Sequence, residues 1–390
     1  ILYITNFLNN IFIELSIYIS MNKTKKDNYK NFSSLLLNWY DKNRRSLPWR
    51  ALPEQLPNPY FVYLSEIMLQ QTVVSTVIPY FLKFSKKWNT IDQLARADFE
   101  EISSYWAGLG YYSRAKNLHE TAKIITNDYN SIVPCDKRKL LSFPGIGNYT
   151  ASAIMAIAFN IKSNVVDGNV ERIFSRLYAI DEPLERSKKY IEEISEKHLP
   201  NQRHGDYAQA LMDLGSLICI PKSPRCSSCP LISYCKVGGT ADAKIYPKRL
   251  PKKIKNNRYG LFFCLINQDG DILMTKNNNR GLLSNMDVIP SIGWYEEGKN
   301  YFSKSPTFIT KKDSLLDLDW KILEKIIIHV FTHFKLNCSI AIAYIDNNDI
   351  SKAQLANKSY RFINSQNLKN LAIPSLIKKI IKYLQDEKLF

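Results

Sequence analysis

From Asn31 to about Asp213 the apolar residues recur three or four positions apart, the spacing of helices that bury one face. Phe32, Leu35, Leu36 and Trp39 open this run, and the loop Leu47-Pro48-Trp49-Arg50 interrupts it. Tyr63 to Phe84 reads as one or two helices, with Pro79 the expected place for a bend because proline removes a helical N–H donor. Leu94 to Leu109, Arg114 to Asn127, Val170 to Tyr178 and Tyr207 to Leu214 continue the series, and no strand-turn-strand pattern precedes residue 240. The period then changes. Tyr259 to Ile266, a turn at Asp269-Gly270, and Asp271 to Thr275 predict a β-hairpin, followed by a strand at Cys338 to Ile345 and a closing helix at Ile373 to Leu384. The expected fold class is an all-α domain followed by an α+β domain.

The stretch from Lys244 to Arg258 is basic, holds two prolines and is expected to be a linker able to follow a phosphate backbone. It sets the boundaries: a helical domain over 29–240, the linker over 241–257 and the mixed domain over 258–390. Ile1 to Ser20 is apolar but broken by Thr5, Asn9, Asn10 and Glu14, and it lacks the basic start of a signal peptide. The first methionine is Met21, so residues 1–28 are expected to be an extension outside the fold. No later segment is long and apolar enough to span a membrane.

Two domains also fit the length of 390 residues, and a hydrophobic content of 45% excludes wholesale disorder. The 53 basic against 36 acidic residues leave a net charge of +17, which points to a polyanion partner or to a Lys- and Asn-rich background composition. Of seven cysteines, Cys219, Cys226, Cys229 and Cys235 crowd into one stretch with the spacing C-x6-C-x2-C-x5-C. That is no secreted disulfide scaffold. It suits a metal site in a reducing compartment, either an iron–sulfur cluster or a structural zinc, with Lys222 and Arg225 placed to reach phosphate. Cys135, Cys264 and Cys338 are expected to be plain small hydrophobes, and His119, His198 and His204 surface or capping groups.

Leu141-Ser142-Phe143-Pro144-Gly145-Ile146-Gly147 lies between two helical stretches, the second running from Tyr149 to Phe159. Pro144 stops the first helix. Gly145 and Gly147 allow a turn too tight for side chains and leave outward N–H groups at the start of the next helix. Those donors and the helix dipole form a phosphate-sized anion site, although the same motif also serves as an ordinary αα-turn. Two carboxylates stand out. Glu66 lies among Val62, Leu64, Ile67, Met68 and Leu69, where desolvation would raise its pKa and fit it to donate a proton; on the wet side of the helix it would be an ordinary acid. Asp167, in an Asp-Gly-Asn turn before the helix from Val170, sits where free N–H groups favour the charged form, and capping alone would account for it.

With these stretches go Ser65-Glu66-Ile67-Met68-Leu69-Gln70-Gln71-Thr72, Gly108-Leu109-Gly110-Tyr111-Tyr112-Ser113-Arg114-Ala115 and Val166-Asp167-Gly168-Asn169-Val170. In order and interval they resemble the adenine-specific mismatch DNA glycosylases of the endonuclease III, or helix-hairpin-helix, superfamily over about residues 30 to 240. The resemblance implies one structural [4Fe–4S] cluster per chain on Cys219, Cys226, Cys229 and Cys235, with no redox step. It implies that Glu66 protonates adenine at N7 and later handles the water. Asp167 stabilises the sugar oxocarbenium ion, with covalent capture, and Asn169 positions it. The adenine must leave the stack first. Tyr149 stands where bifunctional relatives carry a Schiff-base lysine, which implies a monofunctional glycosylase. Gln71 and Tyr111 match residues that enter the duplex around the oxidised guanine, Arg45 and Arg50 match residues near the lesion and phosphates, and Gly145 and Gly147 belong to the phosphate-binding hairpin.

Residues 257 to 390 resemble, more weakly, the Nudix-like C-terminal domain of the same enzymes, through Arg280-Gly281-Leu282-Leu283 and Ile289-Pro290. The acidic metal-binding Nudix signature is missing, so this domain is expected to bind and not to hydrolyse. Phe331-Thr332-His333 takes the place of the family's Phe-Ser-His loop, which makes Thr332 and His333 lesion-contacting candidates. Ser284-Asn285-Met286-Asp287 departs from the usual Gly- and Trp-rich form. The implied partner is double-stranded DNA with adenine opposite 8-oxoguanine or guanine, bound by a monomer, without a membrane, and followed by abasic-site repair enzymes. A bacterial chain would work in the cytoplasm, at the nucleoid. The rivals are a bifunctional thymine-glycol endonuclease and a noncatalytic helix-hairpin-helix binding protein.

Overall fold

A computed structural model describes residues 31–251, 254–278, 281–283, 286–296, 315–346, 359–371 and 373–390. The extension expected over 1–28 lies outside these residues, as do Arg280, Ser284 and Asn285. The chain divides into two compact units: one runs to Phe99 and from Ser113 to Pro251, the other combines Glu100–Tyr112 with the residues after Pro251.

The first unit is helical. α1 spans residues 31–43, and α2 (Pro59–Leu69), α3 (Val74–Lys87) and α4 (Ile91–Arg96) follow, while α5 (Phe99–Trp106) falls from Glu100 onward in the other unit. The predicted stretch Tyr63 to Phe84 is two helices, and its break falls at residues 70–73; Pro79 lies inside α3. Next come α6 (Ser113–Asp128), α7 (Lys137–Ser142) and α8 (Asn148–Phe159). α9 (Gly168–Tyr178), α10 (Leu184–Glu196) and α11 (His204–Leu217) complete the series.

α8 is buried at every position from Thr150 to Ala156, because alanines at 151, 153 and 156 let its neighbours approach closely. At Gly205 of α11 a Cβ would stand 2.7 Å from the Ala156 carbonyl oxygen, so only glycine fits. A second core joins Phe32, Leu36 and Tyr40 of α1 to Phe174 of α9 and Leu211 of α11, and the cysteine loop packs at its edge. His198 belongs to this core and is no surface group: its Nδ1 lies 2.9 Å from the Ile194 carbonyl and its Nε2 3.0 Å from the Tyr178 hydroxyl. His119 is likewise buried, against the Ala95 carbonyl; of the three cysteines outside the loop, Cys264 and Cys338 are buried and Cys135 is exposed.

The basic linker is a pinned strap over its first part. Tyr246 and Lys248 contact Asp181 at 2.7 and 2.6 Å, and the Leu250 N–H donates to Glu185 at 3.1 Å. The Lys248 carbonyl accepts from the Leu184 N–H, so this cation and its backbone are held on the start of α10.

The second unit is built on a mixed sheet. Its strands are β1 (Asn256–Asn267), β2 (Ile272–Lys276), β3 (Asp287–Val288), β4 (Ser291–Glu296), β5 (Lys321–Val330), β6 (Phe334–Ile345) and β7 (Tyr360–Ile363). The order is β3-β2-β1-β6-β5, with β4 also pairing β1 and β7 pairing β2. The β1–β2 hairpin forms as predicted, but β1 pairs in parallel with β6 along its whole length, from Asn256 opposite Phe334 to Asn267 opposite Ile345. That central place explains the unbroken apolar run Leu261 to Ile266, which is buried on both faces. The closing helix α12 (Ser375–Asp386) lays Leu376, Ile377, Ile380 and Leu384 on the core.

Candidate active site

A pocket of about 490 Å³ opens in the helical unit, lined by Glu66, Tyr149, Asp167, Asn169, Arg50 and Gln209 among others. α2 delivers Glu66. Its N-cap is Asn58, whose side chain accepts from the N–H groups of Tyr60 and Phe61, and Pro59 occupies the first turn where no N–H is needed. Glu66 is 5% exposed, and one of its carboxyl oxygens has no hydrogen-bond partner. Burial pushes its pKa up to about 7; the Tyr149 hydrogen bond and the Arg50 charge oppose the rise, while Asp167 adds to it. A carboxyl that is about half protonated near pH 7, with a free oxygen inside a pocket, is equipped as a proton donor. Tyr149, at the start of α8, is half-buried, and the neighbouring Glu66 and Asp167 charges add to burial in raising its pKa.

Asp167 caps α9 as its residue type allows. One oxygen accepts from the N–H groups of Asn169 (2.9 Å) and Val170 (2.8 Å), and the other accepts from the Asn169 side-chain amide at 2.7 Å. Asn169 in turn accepts from Arg172 at 2.9 Å, and the same guanidinium donates to the carbonyls of Gly215 and Cys219. A Cβ at Gly215 would come within 2.5 Å of the Asn169 Cβ, so α11 and the Asp167 turn meet only through glycine. One polar chain thus runs from Asp167 to the first loop cysteine.

Arg45 and Arg50 both line this pocket. Both clasp Asp213 of α11, which is fully buried: the Arg50 fork donates at 2.7 and 2.8 Å, and Arg45 donates through Nε at 2.6 Å and its backbone N–H at 3.0 Å. Burial raises the Asp213 pKa, yet the two arginines hold it below the usual value. Asp213 had a readable signal, an acid inside the apolar run Ala210 to Leu214. Arg114 was also unassigned. It is buried and donates to the carbonyls of Ile67, Met68 and Gln70 and to the Thr72 hydroxyl, so it holds the break after α2 where Gln71 sits.

The hairpin between α7 and α8 is present. Gly145 has φ +77°, and a Cβ there would meet Asn117 at 2.8 Å, so glycine is required twice over. Gly147 is different: its backbone is extended and the space around it is open. Its bareness leaves the first N–H groups of α8 without a side-chain cap, which keeps the anion site available. Gln71 and Tyr111 are both exposed and both left-handed, at φ +56° and +49°, a conformation that non-glycine residues hold at a cost.

The four loop cysteines are free and half-buried. Arg176 donates to the Cys219 sulfur at 3.2 Å and to the carbonyls of Ile220 and Pro221. Burial, then Cys219, Cys235 and Cys226, push the Cys229 thiol up to about 12, so the four sulfurs share one neighbourhood. Among the described residues, however, no three such side chains close in as they would on a single ion. In the sheet unit, Thr332 and His333 form the exposed tip of the β5–β6 turn, closed by the Phe331 N–H donating to the Phe334 carbonyl at 2.9 Å.

A proton donor and a held carboxylate facing one pocket, beside a hairpin of bare N–H groups, make up the equipment of a DNA glycosylase. Residues 64–201 match the HhH-GPD superfamily of base excision DNA repair proteins, and residues 261–383 match the NUDIX domain. The adenine DNA glycosylase of Buchnera aphidicola subsp. Baizongia pistaciae is 33% identical over 362 residues, covering 90% of this chain and 95% of that one. The adenine DNA glycosylase of Rattus norvegicus is 29% identical, covering 92% of this chain and 78% of that one. A solved thermostable thymine-DNA glycosylase is 29% identical with a TM-score of 0.48, covering 55% of this chain and 97% of that one. The chain belongs to the adenine DNA glycosylase family of the helix-hairpin-helix superfamily.

Proposed function

We propose that this enzyme excises adenine opposite 8-oxoguanine or guanine in duplex DNA and stops at the abasic site. The observation that carries this reading is the pair Glu66 and Asp167, one carboxyl buried and still partly protonated near pH 7 and the other held by three donors, on a single pocket. Adenine is a poor anionic leaving group, so Glu66 protonates the extruded base, at N7, as the glycosidic bond breaks, and afterwards takes the proton of the entering water. Asp167 faces the developing oxocarbenium charge and captures the sugar, and Asn169 keeps its second oxygen in place. Tyr149 supplies a phenol where a lyase needs an amine, so no Schiff base forms. The exposed Gln71 and Tyr111 fill the duplex around the lesion, the α8 N-terminus holds a phosphate, and Thr332 and His333 read the oxidised guanine. Arg45 and Arg50 shape the pocket wall through Asp213.

The four cysteines would hold a [4Fe–4S] cluster. A polynuclear cluster is wider than one zinc ion, which suits thiols that share a neighbourhood without closing on a point, and Arg172 and Arg176 balance thiolate charge. The cluster would order the loop that anchors Arg172. The test is strand analysis of duplexes carrying adenine opposite 8-oxoguanine, with and without alkali. Cleavage only after alkali supports the reading; nicking without alkali, or no abasic site at all, overturns it.

A further inference from the structure

The tip formed by Thr332 and His333 is only two residues long, and it stands on a layer of aromatic rings. Phe331 packs on Phe334 at 4.8 Å, on His329 at 4.6 Å and on Trp294 at 5.9 Å between centroids. Trp294 reaches this layer because residue 260 of β1 is glycine; a Cβ there would come within 2.9 Å of the indole. Two cations from the start of the sheet unit close on the same turn. The Lys255 amine donates to the Phe331 carbonyl at 2.7 Å, and the Arg258 guanidinium lies 4.4 Å from the centre of the Phe334 ring. Arg258 also pairs with Glu296 at 3.6 Å, and its carbonyl accepts from the Asn337 side chain at 3.2 Å. One cation therefore grips each end of the turn.

We propose that Arg258 and Lys255 are positioning residues that set the pose of the Thr332–His333 turn, and through it the preference for adenine opposite 8-oxoguanine. This rests on the reading of that turn as the lesion contact. A two-residue tip presents a hydroxyl and an imidazole in one orientation only if both flanking rings are immobile. A cation held over an aromatic face, and a charged donor on the carbonyl at the turn's entry, supply that immobility. Neither residue needs to touch DNA.

The experiment measures single-turnover adenine release by the full-length protein opposite 8-oxoguanine and opposite guanine, at several fixed salt concentrations. Arg258→Leu, which keeps the stem and removes the cation, is expected to lower the ratio of the two rates by about fivefold to tenfold. The rate opposite guanine and the salt dependence should stay unchanged, and Arg258→Lys should restore most of the ratio. Lys255→Met, at an exposed position, should act in the same direction by about twofold to threefold. An unchanged ratio in both Arg258→Leu and Lys255→Met, while Thr332→Ala lowers it, overturns the brace and leaves the lesion reading standing. If Thr332→Ala and His333→Ala also leave the ratio unchanged, the lesion reading itself fails. A shallower salt dependence with equal losses on both duplexes would make the cations phosphate contacts and overturn the positioning role.

Discussion

The carboxylate pocket and the β5–β6 turn hold their candidate side chains by opposite means. In the pocket the charged carboxylate is engaged by groups that are themselves engaged: Asp167 by Asn169, Asn169 by Arg172, and Arg172 by the carbonyl of a loop cysteine. Glu66 stands apart, with one buried oxygen that has no partner, and burial is what raises the acid. At the turn, Thr332 and His333 are exposed and only the rings beneath them are fixed. Bond breaking needs a desolvated acid whose pKa is moved by its surroundings; recognition of an unbroken base needs donors standing clear of the surface. The difference is one of depth, and each region can be broken separately.

The largest effect is expected at Glu66. Glu66→Gln preserves shape but removes the proton and the later base, so single-turnover adenine release should fall about a thousandfold or more while mismatch binding persists. A loss within about tenfold would make Glu66 a bystander. The same residue predicts two pH effects. Because the acid form persists up to about pH 7, release by the parent should decline as pH rises through that value. Because the folded-state pKa is raised above the ordinary 4.5, the fold loses stability as pH climbs from about 4.5 to 7 and gains none back above it. Glu66→Gln removes that penalty. It should be more stable than the parent at pH 8, by up to about 3 kcal/mol, and no different near pH 4 in denaturant titrations.

A middle effect is expected where the pocket depends on closeness. Gly215→Ala places a Cβ 2.5 Å from the Asn169 Cβ and must move the residue that holds Asp167. Release should slow by about tenfold to a hundredfold, with a loss of stability of about 1–3 kcal/mol. The decline of activity near pH 7 should shift only slightly, since burial outweighs the Asp167 charge in raising the Glu66 pKa. A shift of a full pH unit or more, about 1.4 kcal/mol, would mean that Gly215 acts through the burial of Glu66 and not through Asp167.

The two regions also differed in how far the chain could be read. The helical unit writes its landmarks locally: Asp167 caps the helix that follows it, Gly145 needs its positive φ, and Glu66 lies in an apolar run. What stayed hidden there was long-range pairing. Asp213 meets Arg45 and Arg50 across more than 160 residues of chain, so the two arginines expected near the lesion and phosphates are also held on a buried acid. Gly147 was overread, because its backbone is ordinary and only its bareness matters. In the sheet unit the β1–β2 hairpin was legible from Asp269-Gly270, while the parallel β1–β6 pairing spans some 78 positions and has no local signature. The stretch from Tyr246 to Leu250 reads in the sequence only as part of a basic linker, because its acidic partners Asp181 and Glu185 lie far back in the chain.

A smaller effect, and the one that most sharpens the contrast of depth, is expected at Thr332. The family loop carries serine where this chain has threonine, and what the two share is a hydroxyl. Thr332→Ala should lower the ratio of release opposite 8-oxoguanine to release opposite guanine by about threefold to tenfold, the value of a single exposed hydrogen bond. Thr332→Ser should leave the ratio within about twofold, because the donor survives and an exposed methyl contributes little. The rate opposite guanine should hardly move in either variant, since the Glu66 and Asp167 geometry is unaffected. If serine fell with alanine, the methyl would be the recognising group and the turn would work by packing against the base. If both variants instead slowed release on both duplexes equally, Thr332 would act on the enzyme's hold on DNA in general, and the turn would not be a reader of oxidised guanine.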